Sequence, residues 1–229
     1  MRKRTIWIGI GVVVVVFAVI AAVVGPVVYR NHVDAQAEAT PSVAASRAPS
    51  TLHTAEMDGT WRVASGSTAG YRVHEVLNGQ PVTVTGRTGQ VSGTATVAGS
   101  AITAATIRVD VASIHTDSSQ RDAYFRDSAM DADAFPTATF TTTASIPGAV
   151  PSSSSRTTTS RVTGELTLHG VTRTVTATIQ SGLDGDGADV SGTIPIRFAD
   201  YGVTAPSLGF VRVEDTGSVE FEVHATPAS

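Results

Sequence analysis

The chain has 229 residues, a formal net charge of -4 and only 6% aromatic residues. That length allows one sizeable domain with accessory segments, and an acidic balance with no basic cluster beyond the N-terminus lacks the electrostatic footprint of a nucleic-acid binder. With no cysteine anywhere, disulfides, thiolate metal sites, a Cys nucleophile and a lipidated N-terminal Cys are excluded together.

Arg2, Lys3 and Arg4 precede an uncharged run from Ile6 to Tyr29. A helix needs roughly 20 apolar residues to cross the hydrocarbon core, so residues 1–30 are expected to form a basic cytoplasmic terminus and a membrane anchor. The positive-inside rule then places the remainder of the chain outside the cell membrane. Ala35-Gln36-Ala37 has the form of a signal-peptide cleavage site, but the apolar run is longer than an ordinary signal core and lies well before it. Residues 31–57 are rich in Ala, Ser, Thr and Pro without periodicity and read as a disordered stalk, with His32 and His53 as solvated side chains.

The folded domain is expected over 58–229, where β-branched and small polar residues alternate. Trp61 and Val63 open the strand series, and Tyr71 and Val73 alternate with Arg72 and His74. Asn78-Gly79 predicts a type I′ hairpin turn, with Pro81 at the start of the return strand that carries Val82 and Val84. Val91 to Val97, a turn at Ala98-Gly99-Ser100, and Ile102 to Ile114 form the next pair, with Ile107, Val109 and Val111 on one face.

Asp117 followed by Gln120 has capping-box spacing, predicting a short helix from Ser118 to Met130. Its apolar members are Ala123, Tyr124, Phe125 and Met130, while Arg121, Asp122, Arg126 and Asp127 take the wet side. So short a helix is marginal alone and is expected to cover a sheet. Phe135-Pro136-Thr137 leads into a strand through Phe140, and Pro147 to Ser160 reads as a disordered loop. Leu166 and Leu168 precede His169-Gly170, spaced as a second hairpin turn, and Val171, Val175, Ala177 and Ile179 share a face with Arg173 at its rim. Ile194, Ile196 and Phe198, and finally Val219, Phe221 and Val223, complete the alternation.

No nucleophile elbow, P-loop, dinucleotide fingerprint or paired-histidine metal motif occurs, and Asp184-Gly185-Asp186-Gly187 lacks calcium-loop spacing. Asp127, Asp131 and Asp133 read as a solvated helix end, and His169 as a turn residue. No cofactor, metal or catalytic residue is expected, and binding is the default function. The competing readings are a ligand-free β-domain for adhesion or scaffolding, and an extracytoplasmic enzyme with His169 or His74 as general base.

The segments SIHTDSSQRDAYFRDSAMDADAFPTATF, GELTLHGVTRTVT, RFADYGVT and VEDTGSVEFEVHA resemble, in order, those of the YceI-like family of exported lipid-binding proteins, across Gly59 to Ala225. The sequence departs from that pattern after Val63, where Ala-Ser-Gly-Ser-Thr replaces the usual Asp-x-x-His-Ser. The resemblance implies an all-β, antiparallel up-and-down barrel of lipocalin type with about eight strands. Its lumen would take the tail of a polyisoprenoid such as a quinone or polyprenyl lipid. Residues expected at the lumen or its mouth are Tyr71, Val73, Ile107, Val109, Tyr124, Phe125, Met130, Phe140, Leu166, Leu168, Val175, Phe198, Tyr201 and Phe221, with Arg173 as a rim partner for the head group. The expected location is the cell membrane, single-pass, with the barrel extracytoplasmic.

Overall fold

A computed structural model describes residues 31, 34–44, 49, 52, 57–151, 153, 156–207, 209 and 211–228. The expected membrane anchor lies outside the described residues, and among those described no helix is long and apolar enough to cross a membrane.

The alternating segments form antiparallel strands β1 (Gly59–Val63), β2 (Thr68–Leu77), β3 (Gln80–Thr88), β4 (Val91–Ala98) and β5 (Ala101–Asp110), then β6 (Thr137–Thr142) to β10. The later strands are β7 (Thr157–Leu168), β8 (Val171–Asp184), β9 (Gly187–Arg197) and β10 (Val211–Pro227). Strands β4 to β10 are neighbours in chain order, and β1 pairs with both β4 and β10. Eight strands therefore close a barrel, which removes the exposed edges that a flat sheet would present.

The order is not simply up-and-down. The β2–β3 hairpin stands outside the ring, because β2 pairs with β10 over Val211 to Glu222 while β1 takes the same edge at Ala225 to Pro227. A 17-residue β10 is long enough to hold two partners end to end, and a bulge between Val213 and Gly217 bends it along the way. The connection from β5 to β6 fills the gap beside β3: Arg87 and His115 exchange backbone hydrogen bonds of 2.9 and 3.0 Å, and Val111 N–H donates to the Pro136 carbonyl at 2.9 Å.

Both expected hairpin turns are present. Asn78 and Gly79 adopt φ of 50° and 79°, and His169 and Gly170 adopt 48° and 73°, as a type I′ turn requires. The helix differs from its expected form. α1 spans Ser119–Tyr124, and its cap is Ser118, whose hydroxyl accepts from Arg121 N–H, rather than Asp117. Asp117 instead pairs with the Arg121 guanidinium at 2.5 Å. Beyond Tyr124 the backbone widens into a π turn over Phe125–Ala129, where Met130 N–H donates to the Phe125 carbonyl.

The loop after Pro147 is another correction. Strand β7 begins at Thr157 rather than after Ser160, and Ala149 is fully buried, its carbonyl accepting from the Ser181 hydroxyl. Val150 N–H donates to the Ser100 carbonyl at 3.1 Å, so this part of the loop is held through backbone groups, which leave no periodic signal in the side chains.

Along the barrel axis the interior changes character. At the end closed by β1, Met57, Trp61, Val97 and Leu183 form a small cluster, with Trp61 Nε1 donating to the Met57 carbonyl at 2.8 Å. The middle is a packed core of Val162, Leu166, Ala177, Ile179 and Ile194, joined by Phe140 and Phe221. Aromatic rings lie over glycines on the inner faces: Phe140 on Gly164, Phe221 on Gly192, Phe198 on Gly217 and Tyr71 on Gly86, each where a Cβ would collide with the ring. Glycine lets the strand bend there while the ring refills the space. On the outside, Glu220 is only 1% exposed and is held by Arg72 at 2.7 Å and by Arg87. Glu38 reaches this pair from the N-terminal side, its carbonyl accepting from Arg72 at 2.6 Å and its carboxylate lying 3.3 Å from Arg87.

Candidate functional site

Beyond the packed core, toward the β2–β3 hairpin, lies a cavity of about 490 Å³. This falls within the range of roughly 300–1,000 Å³ typical of small-molecule sites. One wall is formed by β2 and the first half of β10, the other by the helical connection between β5 and β6. Period-two alternation on β2 turns Tyr71, Val73, Glu75 and Leu77 toward this space. The helix reaches across the cavity, and the Phe125 ring stacks on Tyr71 with centroids 4.8 Å apart. Tyr124 lines the cavity yet is 38% exposed, which places it at the mouth.

Of the residues expected at the lumen, Tyr71, Val73, Val109, Tyr124 and Phe125 line this cavity. Met130, Leu168, Phe198 and Tyr201 line it as well. The others lie elsewhere. Phe140, Leu166 and Phe221 belong to the packed core, and Ile107 lies across Gly93 on the neighbouring strand. Val175 packs on the core, and with Arg173 it also lines an adjoining groove of about 690 Å³ that includes Arg72, His74 and Arg197 and meets the cavity at Ile196, Tyr201 and Ser218. Arg173 donates from Nε to the Asp200 carbonyl at 3.0 Å and does not reach the cavity. Alternation puts Leu166 and Leu168 on one face of β7, and that face runs past the cavity into the filled part of the barrel.

Three polar groups in the cavity carry its electrostatics. Glu75 is 7% exposed, and its nearest charged partner is Arg121 at 4.0 Å. Burial raises the Glu75 carboxyl above the ordinary carboxylate range; Arg121 pulls it back and Asp117 pushes it further up. Arg121 was expected on the wet side of the helix, whereas it lines the cavity while bonded to Asp117 and to Thr116 Oγ1. Tyr201 is 2% exposed and its hydroxyl has no hydrogen-bond partner among the described residues. Burial raises its ionisation above the usual phenol value, with Asp200 adding to the effect and Arg173 opposing it. Period two starting from Tyr71 and Val73 points directly at Glu75, so that residue was recoverable from the sequence. Arg121 was not, because its position depends on how the helix is rolled.

The imidazoles that the enzymatic reading would use as general base have partners outside the cavity lining or on its backbone. His74 Nδ1 is 3.3 Å from Thr83 Oγ1, His169 Nδ1 is 3.1 Å from the Tyr201 carbonyl, and neither ring lines the cavity.

Over residues 61–225, which make up this barrel, the chain matches the family model of the YceI-like domain. The chain belongs to the YceI-like family. Solved structures with the same fold include Burkholderia cenocepacia BcnA, at 23% identity and TM-score 0.54, covering 68% of this chain and 96% of that one. A second is described as a polyisoprenoid binding domain from Saccharophagus degradans implicated in plant cell wall breakdown. It matches at 18% identity and TM-score 0.56, covering 73% of this chain and 98% of that one. No curated protein is significantly similar. The YceI-like match ends within two residues of β10's terminus at Pro227 and begins inside β1, so the family unit coincides with the closed barrel.

Proposed function

We propose that this YceI-like chain binds a long apolar lipid of polyisoprenoid type in the cavity between β2, β10 and the helical lid. In this reading the N-terminal apolar run anchors the barrel at the outer face of the membrane, where it sequesters or carries the lipid. The observation that carries the reading is the cavity itself, walled mostly by aliphatic and aromatic side chains and open past Tyr124. The description of the Saccharophagus degradans relative as a polyisoprenoid binding domain supports the same ligand class. Each buried methylene contributes about 0.8 kcal/mol, so three five-carbon units contribute about 12 kcal/mol and leave the roughly 8 kcal/mol of a micromolar complex after an association cost of about 4 kcal/mol. Burial of the tail therefore dominates affinity. We further propose that the chain binds rather than transforms its ligand, a reading supported by the cavity lining, in which neither His74 nor His169 takes part.

The test is native mass spectrometry of the full chain purified from its own host in amphipol, followed by lipid extraction. A co-purifying prenyl lipid or quinone is expected. A ligand-free mass, with failure to take up any such lipid at about ten times a micromolar Kd, overturns the reading and favours adhesion or scaffolding. Peptide mapping of the same preparation tests the anchor: a mature N-terminus near Glu38 overturns it.

A further inference from the structure

Tyr201 and Glu75 stand out in the cavity because each is a buried polar group that the protein itself leaves poorly served. The Tyr201 hydroxyl has no partner among the described residues, and Glu75 has only a guanidinium 4.0 Å away that is already bonded to Asp117. A buried hydroxyl or carboxyl without a hydrogen bond is costly, and folded chains retain such groups where something else completes them. Both side chains line the same cavity, among mostly apolar neighbours.

Resting on the lipid-binding reading above, we propose that Tyr201 and Glu75 select the head of the bound lipid, accepting a neutral hydroxyl or carbonyl and rejecting a phosphorylated head. The Tyr201 hydroxyl donates to the head-group oxygen. Glu75 exchanges a hydrogen bond with it, as acceptor when ionised and as donor when protonated. Burial favours the protonated form, which makes Glu75 a suitable neutral partner. A phosphate brings negative charge to a cavity whose one lining cation among the described residues, Arg121, already faces two carboxylates, Asp117 and Glu75, while Arg173 lies in the adjoining groove beside Asp200. Burying that charge without a free counter-ion is unfavourable.

The experiment compares geranylgeraniol, geranylgeranyl diphosphate and the head-free hydrocarbon phytane, each titrated into the delipidated full chain in amphipol and read by native mass spectrometry. Geranylgeraniol is expected to bind about tenfold more tightly than phytane and at least about tenfold more tightly than the diphosphate, the ratio that one net hydrogen bond supplies. In Tyr201→Phe and in Glu75→Leu the ratio of alcohol to phytane affinity falls toward unity. Equal affinity for alcohol and phytane in the wild-type chain, a preference for the diphosphate, or an undiminished ratio in both variants overturns the proposal while leaving lipid binding intact. Failure to bind even phytane instead overturns the lipid-binding reading and this inference with it. Should a variant lose its thermal transition, the three wild-type affinities alone decide.

Discussion

Glu75 couples the site to pH. Its carboxyl is raised by burial, so between its ordinary and raised values the folded chain holds a proton that the unfolded chain has lost. Stability is therefore favoured below that interval and falls as pH rises through it. Glu75→Gln removes the dependence, and thermal melts from about pH 4 to about pH 8 should show the variant gaining on the wild type as pH rises. Parallel curves for the two chains would mean that Glu75 is not desolvated in solution. Glu220 is also buried, with both Arg72 and Arg87 bonded to it. Glu220→Ala removes the buried carboxylate that both guanidiniums share and leaves only the exposed Glu38 carboxylate beside Arg87, a change expected to cost about 3–5 kcal/mol in urea unfolding. A loss below about 1 kcal/mol would show that the cluster is solvated. Alternation assigns Glu220 to the outer face, and it does lie there. Its burial follows from cross-strand arginines and from Glu38, which arrive from distant parts of the chain.

At the scale of elements, the glycine–aromatic pairs set how the strands bend inside the barrel. Gly164 sits on β7 under the Phe140 ring of its neighbour, and a methyl group there meets both the ring and the Thr141 carbonyl. Gly164→Ala is expected to destabilise the fold by about 1–3 kcal/mol through overpacking, and Phe140→Leu in the same chain should recover part of the loss. Additive costs in that double variant would show that the ring is not the obstacle. The hairpin turns were fully legible, since Asn78-Gly79 and His169-Gly170 encode their geometry in adjacent residues. The helix was legible in existence and location only. Its Ser118 cap and its π turn at Phe125–Ala129 depend on docking against β2, where Tyr71 holds the Phe125 ring.

For the whole molecule, the central prediction is that ligand and fold are thermodynamically linked. A lipid supplied at about one hundred times its Kd stabilises the folded state by about 2.7 kcal/mol, which raises Tm by roughly 5–10 °C for a domain of this size. Leu168→Arg places a charge in the cavity wall and should abolish both the shift and lipid retention, whereas Arg173→Ala, outside the cavity, should leave them little changed. The reverse sensitivity would locate the ligand in the outer groove that Arg173 lines.

Local alternation and turn chemistry by themselves determined the class of fold, the hairpins, the presence of a short covering helix and which residues within one strand share a face, as Tyr71 and Val73 do on β2 and Leu166 and Leu168 on β7. These features rest on interactions between near neighbours in the chain, which residue order records directly. Tertiary structure alone decided where that face stops being cavity and becomes core. Phe140, Leu166 and Phe221 have the same pattern as the cavity residues but belong to the filled core, where Phe140 and Leu166 are directly opposed on neighbouring strands. It also decided that β1 and β2 share the edge of β10, and that Arg121 faces inward toward Glu75. Such contacts join residues far apart in sequence, and volume complementarity between them leaves no periodic trace in either segment.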